Sequence, residues 1–236
     1  MSGDGGTASR IGRRLHGAMR ELSQDERREW QNSTLDRPPR DYGFDARLQF
    51  WLEDLVFGKE RTLSKFRARE LIARTPYQSW EQVACLIASR FRDRSERARK
   101  FYEMVTETRA EQDNELWHQL ILDELIAASG VRENPFRFRL VPQLIAFAIY
   151  QQFWLLRVLN PAQSYRLNAD VEDHAEHEYA HLVAEHPEWE SDSFPSPVAA
   201  GYTAYESLAD LFRQIGADEG FHKELSLARL ASAGSS

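Results

Sequence analysis

An all-α fold is predicted for this 236-residue chain, and three observations predict it. Apolar residues recur at three- and four-residue spacing along most of its length. Pro and Gly are few and mostly fall in the gaps between those runs, and no strand-like alternation bounded by turn pairs is evident. The length fits one domain large enough to bury a core and an internal site.

Residues 1–9, rich in Gly and Ser, read as a loose terminus. A leading helix is predicted near 10–31, closed by a turn at Pro38-Pro39. Six helical stretches follow near 44–57, 61–90, 95–129, 137–159, 162–186 and 198–229. Pro76 is expected to kink the second of these, because proline removes a ladder hydrogen bond. Pro135, Pro161 and the stretch from Pro187 to Pro197 punctuate the later ones. The expected organisation is an N-terminal tail and leading helix over 1–43, a helical bundle over 44–230 and a disordered tail over 231–236.

The stretch from Leu140 to Leu159 is the most apolar and approaches the length of a membrane span. Gln143, Gln151, Gln152 and Arg157 interrupt it, and Arg137 and Arg139 precede it. A helix lying in a lipid interface, or a buried bundle helix, fits better than a crossing one.

Two short words carry the chemistry: Asn114-Glu115-Leu116-Trp117-His118 and Asp218-Glu219-Gly220-Phe221-His222. Each sets a carboxylate and an imidazole three residues apart, one turn along one helical face, where they can hold a metal ion. The polar residue before each Glu, Asn114 or Asp218, is of the kind that orients a ligating His by taking its second ring proton. Glu178 and His181 repeat the spacing, so one match alone is weak. Carboxylate-bridged di-iron bundles of the ferritin-like type need one further Glu from each of two other helices, and Glu70 and Glu172 supply them. Gaps of 45, 57 and 47 residues separate the four words, each long enough for the chain to return along another helix. The expected architecture is thus a ferritin-like four-helix bundle with a di-iron carboxylate site, plus extra N-terminal and interfacial helices.

The flanking residues resemble the alternative oxidase family, and particularly its plastid terminal oxidase (plastoquinol oxidase) branch. Arg69-Glu70-Leu71-Ile72-Ala73-Arg74-Thr75-Pro76-Tyr77 is similar to that branch's L-E-T-I-A-R-V-P-Y. Asn114 to His118, Val171-Glu172-Asp173-His174-Ala175 with Tyr179, and Asp218 to His222 match its other three words in order, over about residues 60–228. The resemblance implies two Fe ions held by Glu70, Glu115, His118, Glu172, Glu219 and His222. It also implies O2 and a quinol or other small-molecule reductant as substrates, a homodimer, and peripheral membrane contact. Four positions depart from the pattern. Arg69 stands for a Leu that lines a quinol pocket, Lys65 for an Arg, Glu178 for a small Thr and Gly216 for an Arg.

Carboxylate with imidazole suits iron or manganese. Tyr179 lies two turns after Glu172 on the same face, where it is either a transient donor of an electron and a proton or a core Tyr bonded to a carboxylate. His174, His177 and His181 form a separate stripe expected at the rim, with His174 the best placed to support the site. Trp117 is expected in the core.

The single Cys85 excludes an internal disulfide framework and Cys-based zinc or iron–sulfur ligation, and argues for a reducing compartment. Residues 1–100 hold 21 Lys plus Arg against 15 Asp plus Glu, and the rest 9 against 22. The acidic half carries three of the four words, while the basic half either faces anionic lipid or is a solvated helix face. No nucleic-acid motif is present. Arg10 to Leu22 lacks the apolar core of a secretory signal, so a cytoplasmic protein, peripheral on the inner membrane leaflet, is expected. Two other functions remain open: a di-iron oxygenase acting on a soluble, anionic small molecule, motivated by Lys65, Arg67 and Arg69 beside Glu70, and a non-enzymatic iron-binding bundle.

Overall fold

The computed structural model describes residues 18–89 and 95–233, and among these there is no strand. The helices are α1 (Gln24–Asp36), α2 (Phe44–Phe57), α3 (Leu63–Ala88), α4 (Ser95–Ser129), α5 (Val141–Leu159), α6 (Pro161–Glu185), α7 (Pro197–Tyr202) and α8 (Leu208–Ala233). The pairs α3 with α4 and α6 with α8 pack most extensively, and together they form the bundle.

Local chemistry sets the ends. Ser23 and Glu26 form a reciprocal capping box that starts α1. The leading helix therefore begins at Gln24 and runs to Asp36, rather than over 10–31, and residues 18–23 are non-helical. Residues 10–17 of that expectation, like the expected loose terminus over 1–9, lie outside the described residues. Asn160 alone separates α5 from α6: its N–H donates to the Leu156 carbonyl at 2.7 Å and its side chain accepts from Gln163 N at 3.1 Å, with Pro161 opening the next helix. Gly130, at φ +67°, turns the chain out of α4.

α3 runs unbroken through Pro76. The carbonyl that proline leaves without its ladder partner, that of Ile72, accepts the Thr75 hydroxyl at 2.8 Å instead. The single helix expected over 198–229 is divided in two, because Ser207 caps a fresh N-terminus by accepting from Asp210 N at 3.1 Å. α8 then continues to Ala233, so 231–233 belong to a helix and not to a disordered tail. The expected stretch over 137–159 opens with a π-helical turn, Phe136–Leu140.

α1 docks through a polar face. Buried Arg27 pairs with Asp210 at 2.7 Å and donates to Gln214 at 3.0 Å. Trp30 and Thr34 both donate to Glu176, at 2.9 and 2.6 Å, and Arg37 pairs with Asp173 and Glu176. Arg40 reaches Asp170, and Arg61 reaches Glu178 and Glu185. The basic N-terminal half thus neutralises the acidic outer face of α6, which accounts for the uneven charge along the chain.

Two apolar clusters bracket the bundle interior. One gathers Phe66, Ile121, Leu122, Tyr179, Tyr202, Phe212 and Ile215; the other gathers Tyr77, Trp80, Phe153, Tyr165 and Leu167. α5 buries only Pro142, Ala146 and Phe153, leaving Leu144, Phe147, Leu155 and Leu159 exposed. α2 likewise exposes Phe44, Trp51, Leu52 and Leu55.

Candidate metal centre

α3 supplies Glu70, α4 supplies Glu115 and His118, α6 supplies Glu172, and α8 supplies Glu219 and His222. All six are buried, none more than 1% exposed. Their ligand atoms fall into two overlapping groups, each within 4.8 Å: Glu70, Glu115, His118 and Glu219, and then Glu115, Glu172, Glu219 and His222. Glu115 and Glu219 belong to both, as carboxylates that bridge two ions would. These are the two such groups among the described residues.

Buried charges are tolerated only when paired or bound to metal. Both oxygens of Glu115 and Glu219, one oxygen of Glu172 and both ring nitrogens of His222 have no hydrogen-bond partner among the described residues. His222 Nδ1 lies 2.9 Å from Glu115 Oε1 without the alignment of a hydrogen bond. His118 Nδ1 stands 3.1 Å from Glu219 and 3.3 Å from Glu70. Four carboxylates and two imidazoles, with orphaned donor atoms converging, fit two divalent cations: their charge would offset the carboxylates and their coordination would satisfy the orphans.

The metal-free electrostatics express the same crowding. Burial, then Glu219, pushes the Glu70 pKa up to about 8, and burial with Glu115 and Glu219 raises that of Glu172 well above the usual carboxylate range. Against burial, the imidazoles of His118 and His222 hold Glu115 well below it.

Three buried phenols hold the carboxylate ring from outside. Tyr179 donates to Glu70 at 2.5 Å, Tyr77 to Glu172 at 2.7 Å, and Tyr202 to Asp218 at 2.7 Å. Burial first, and the adjacent carboxylates next, raise all three pKa values well above normal, so each hydroxyl keeps its proton and donates. Tyr77 stood in the first word without being singled out, and Tyr202 had no sequence signal, since a helix break separates it from every word.

Asn114 donates to Asp218 at 2.8 Å, so the two residues preceding the Glu positions meet across the bundle. Asp218 Oδ2 approaches His118, at 3.6 Å from Nε2. Trp117 is half-buried against the first apolar cluster, as expected.

His174 does not reach the carboxylates. It stacks on Phe50 at 4.0 Å between centroids and lines a separate cavity, where burial, then Arg69, lowers its pKa to about 4. His177 is buried with Nδ1 2.7 Å from the Asp173 carbonyl, and His181 is exposed. Glu178 pairs with Arg61 at 2.8 Å, so the third Glu-x-x-His match is no half-site.

The departures fit together. Arg69 pairs with Glu53 at 2.6 Å and lies 3.8 Å from Glu178, while Lys65 pairs with Asp54 at 2.7 Å. Arg67 pairs with Asp123 and Glu133. The cations beside Glu70 are therefore neutralised, which removes the motive for an anionic substrate. At Gly216 a Cβ would lie 3.2 Å from that of Tyr179, so α8 approaches α6 closely at this phenol.

No curated protein matches the chain. The family model described as alternative oxidase matches residues 46–229.

Proposed function

The chain belongs to the alternative oxidase family, and on that premise we propose that it is a di-iron quinol oxidase. Two quinols are oxidised to quinones, releasing four electrons and four protons. One O2 takes up four of each to give two waters, with no proton pumping. The observation that carries this reading is the convergence of orphaned buried carboxylate and imidazole atoms from four helices. Glu70, Glu115, His118, Glu172, Glu219 and His222 would hold two iron ions, and Glu115 and Glu219 are common to both ligand groups. Iron bound there would supply the redox chemistry that reduces O2.

The protein's own groups position and protonate. The Tyr179 hydroxyl lies 2.5 Å from Glu70 and is assigned as a transient donor of one electron and one proton during O2 reduction, both returned to it by the quinol. Tyr77 fixes Glu172, and Tyr202 with Asp218 fixes the ring of His118. The two apolar clusters exclude bulk water from both sides.

An apolar reductant suits the surroundings. A cavity of about 220 Å³ lies among α2, α3, α5 and α6, lined by Phe50, Val56, Ile72, Ile149 and Phe153 and reaching Arg69 beside Glu70. An apolar void of roughly 150 Å³ already accommodates benzene. The exposed apolar faces of α2 and α5 flank it, as a helix pair lying in a lipid interface would. Among the described residues no helix is long and apolar enough to cross a membrane. The words around Glu70 and Glu172 favour the plastid terminal oxidase branch as the nearer relatives.

Purified protein should carry about two irons per chain and show quinol-dependent O2 uptake that cyanide does not inhibit. With ¹⁸O2, label should appear only in water. Label in an organic product would replace the oxidase with an oxygenase, and failure to bind iron under any reconstitution would end both.

A further inference from the structure

The cavity beside Glu70 is apolar except for a few side chains, and two of these have unmet hydrogen-bonding capacity. Arg69 is buried, and its Nε and Nη2 both donate to Glu53, at 3.2 and 2.6 Å. Its Nη1 is also buried and has no hydrogen-bond partner among the described residues. His174 lines the same cavity, held by its stack on Phe50, and neither ring nitrogen bonds to any described residue. A buried donor left unpaired costs about as much as a lost hydrogen bond. An imidazole so placed offers both a donor and an acceptor.

We propose that Arg69 and His174 form a polar clamp for the ring oxygens of an aromatic reductant. Arg69 Nη1 donates to a ring oxygen and His174 hydrogen-bonds to the ring's oxygen substituents, while Phe50, Ile72 and Phe153 pack its carbon skeleton. Glu53 is essential to the arrangement: it neutralises the guanidinium, so the cavity presents a directed donor and not a net charge. The site therefore selects a neutral oxygen-bearing ring over an anion, and over a hydrocarbon of equal size. This assignment rests on reading the cavity as the reductant's site.

Equilibrium dialysis of the iron-free and iron-loaded full chain tests it, with duroquinone and durene as probes. The two carry the same four methyl groups on a planar six-membered ring and differ where two carbonyls replace the two ring C–H groups, and the fully substituted quinone has no free ring position to alkylate the exposed Cys85. Wild type should bind duroquinone at least tenfold more tightly than durene, as expected for hydrogen bonds to a charged donor. Arg69→Lys keeps the pairing with Glu53 but loses the spare nitrogen, and His174→Phe keeps the stack. Each should weaken duroquinone binding about tenfold and leave durene within roughly twofold. Equal affinity for the two probes in wild type, or equal shifts of both in the variants, overturns the clamp while leaving an apolar cavity. Binding of neither probe overturns the cavity as the reductant's site as well. A chain that binds duroquinone but takes up no iron instead counts against the di-iron function and leaves the clamp standing.

Discussion

Asp218 Oδ2 lies 3.6 Å from Nε2 of His118, a residue on another helix, and the Tyr202 hydroxyl stands 2.7 Å from that oxygen and 3.2 Å from that nitrogen. In the sequence Asp218 belongs to the word of His222, so the support crosses the bundle. α4 and α8 are locked together at the centre by this polar contact.

Groups that orient a ligating imidazole typically contribute ten- to a hundredfold in metal affinity. Asp218→Asn keeps the shape and removes the charge beside His118, so iron affinity measured by chelator competition should fall by about that factor. Tyr202→Phe should produce a smaller loss in the same direction, because it removes only the bridging hydroxyl. Wild-type affinity in Asp218→Asn would show that His118 needs no such support.

Tyr179 and Tyr77 bond to site carboxylates in similar ways, yet only Tyr179 is assigned a chemical role. Tyr179→Phe should retain iron and fold while turnover per bound iron falls by orders of magnitude, each tenfold corresponding to about 1.4 kcal/mol on the barrier. Tyr77→Phe should mainly cost on the order of 1 kcal/mol of stability. Comparable turnover in the two variants would make both phenols structural.

The helices and the metal words were legible because both depend on local spacing. Glu70, Glu115, His118, Glu172, Glu219 and His222 converge as their order along the chain implied. What was not legible depends on contacts between distant residues. Tyr202 reaches His118 only because Ser207 restarts the helix after it, and His174 faces a cavity that exists only once α2 packs beside α3, α5 and α6. The basic N-terminal half looked like a lipid-facing or solvated surface because its partners, Asp173, Glu176 and Asp210, lie more than a hundred residues away.

Glu115→Ala or Glu219→Ala should lower iron content and abolish O2 reactivity, since each removes a carboxylate common to both ligand groups. His181→Ala removes an exposed side chain and should do neither. Iron lost in His181→Ala but kept in Glu219→Ala would invert the assignment.

The strap formed by α1 should depend on pH. Despite burial, the Arg40 N–H and Arg37 hold the Asp173 carboxyl, and Lys223, Thr34 and Arg37 hold that of Glu176, below their ordinary values. A lowered folded-state pKa gives stability that is present above the unfolded value, near 4, and is lost as pH falls through the folded one. Arg37→Ala should thus cost on the order of 1 kcal/mol at neutral pH, and the gap from wild type should narrow below about pH 4. A gap in thermal stability that is independent of pH would mean that Arg37 acts through packing alone.

Gly220, between Glu219 and His222, is where Trp30 of α1 presses on α8. Replacing a mid-helix glycine by alanine ordinarily gains about 1 kcal/mol. Here the new Cβ would lie 2.5 Å from Trp30 Cζ2 and 3.1 Å from its Nε1. Trp30 cannot easily yield, because its Nε1 donates to Glu176 at 2.9 Å and its ring packs on Phe221 at 4.9 Å. Gly220→Ala should therefore lower the melting temperature. In a Trp30→Ala background the obstruction is gone, and the same substitution should raise it. That change of sign separates crowding from any intrinsic need for glycine at this position, since a backbone requirement would persist without the indole. Stabilisation by Gly220→Ala in the otherwise unaltered chain would show that α1 does not pack against the metal helix as described.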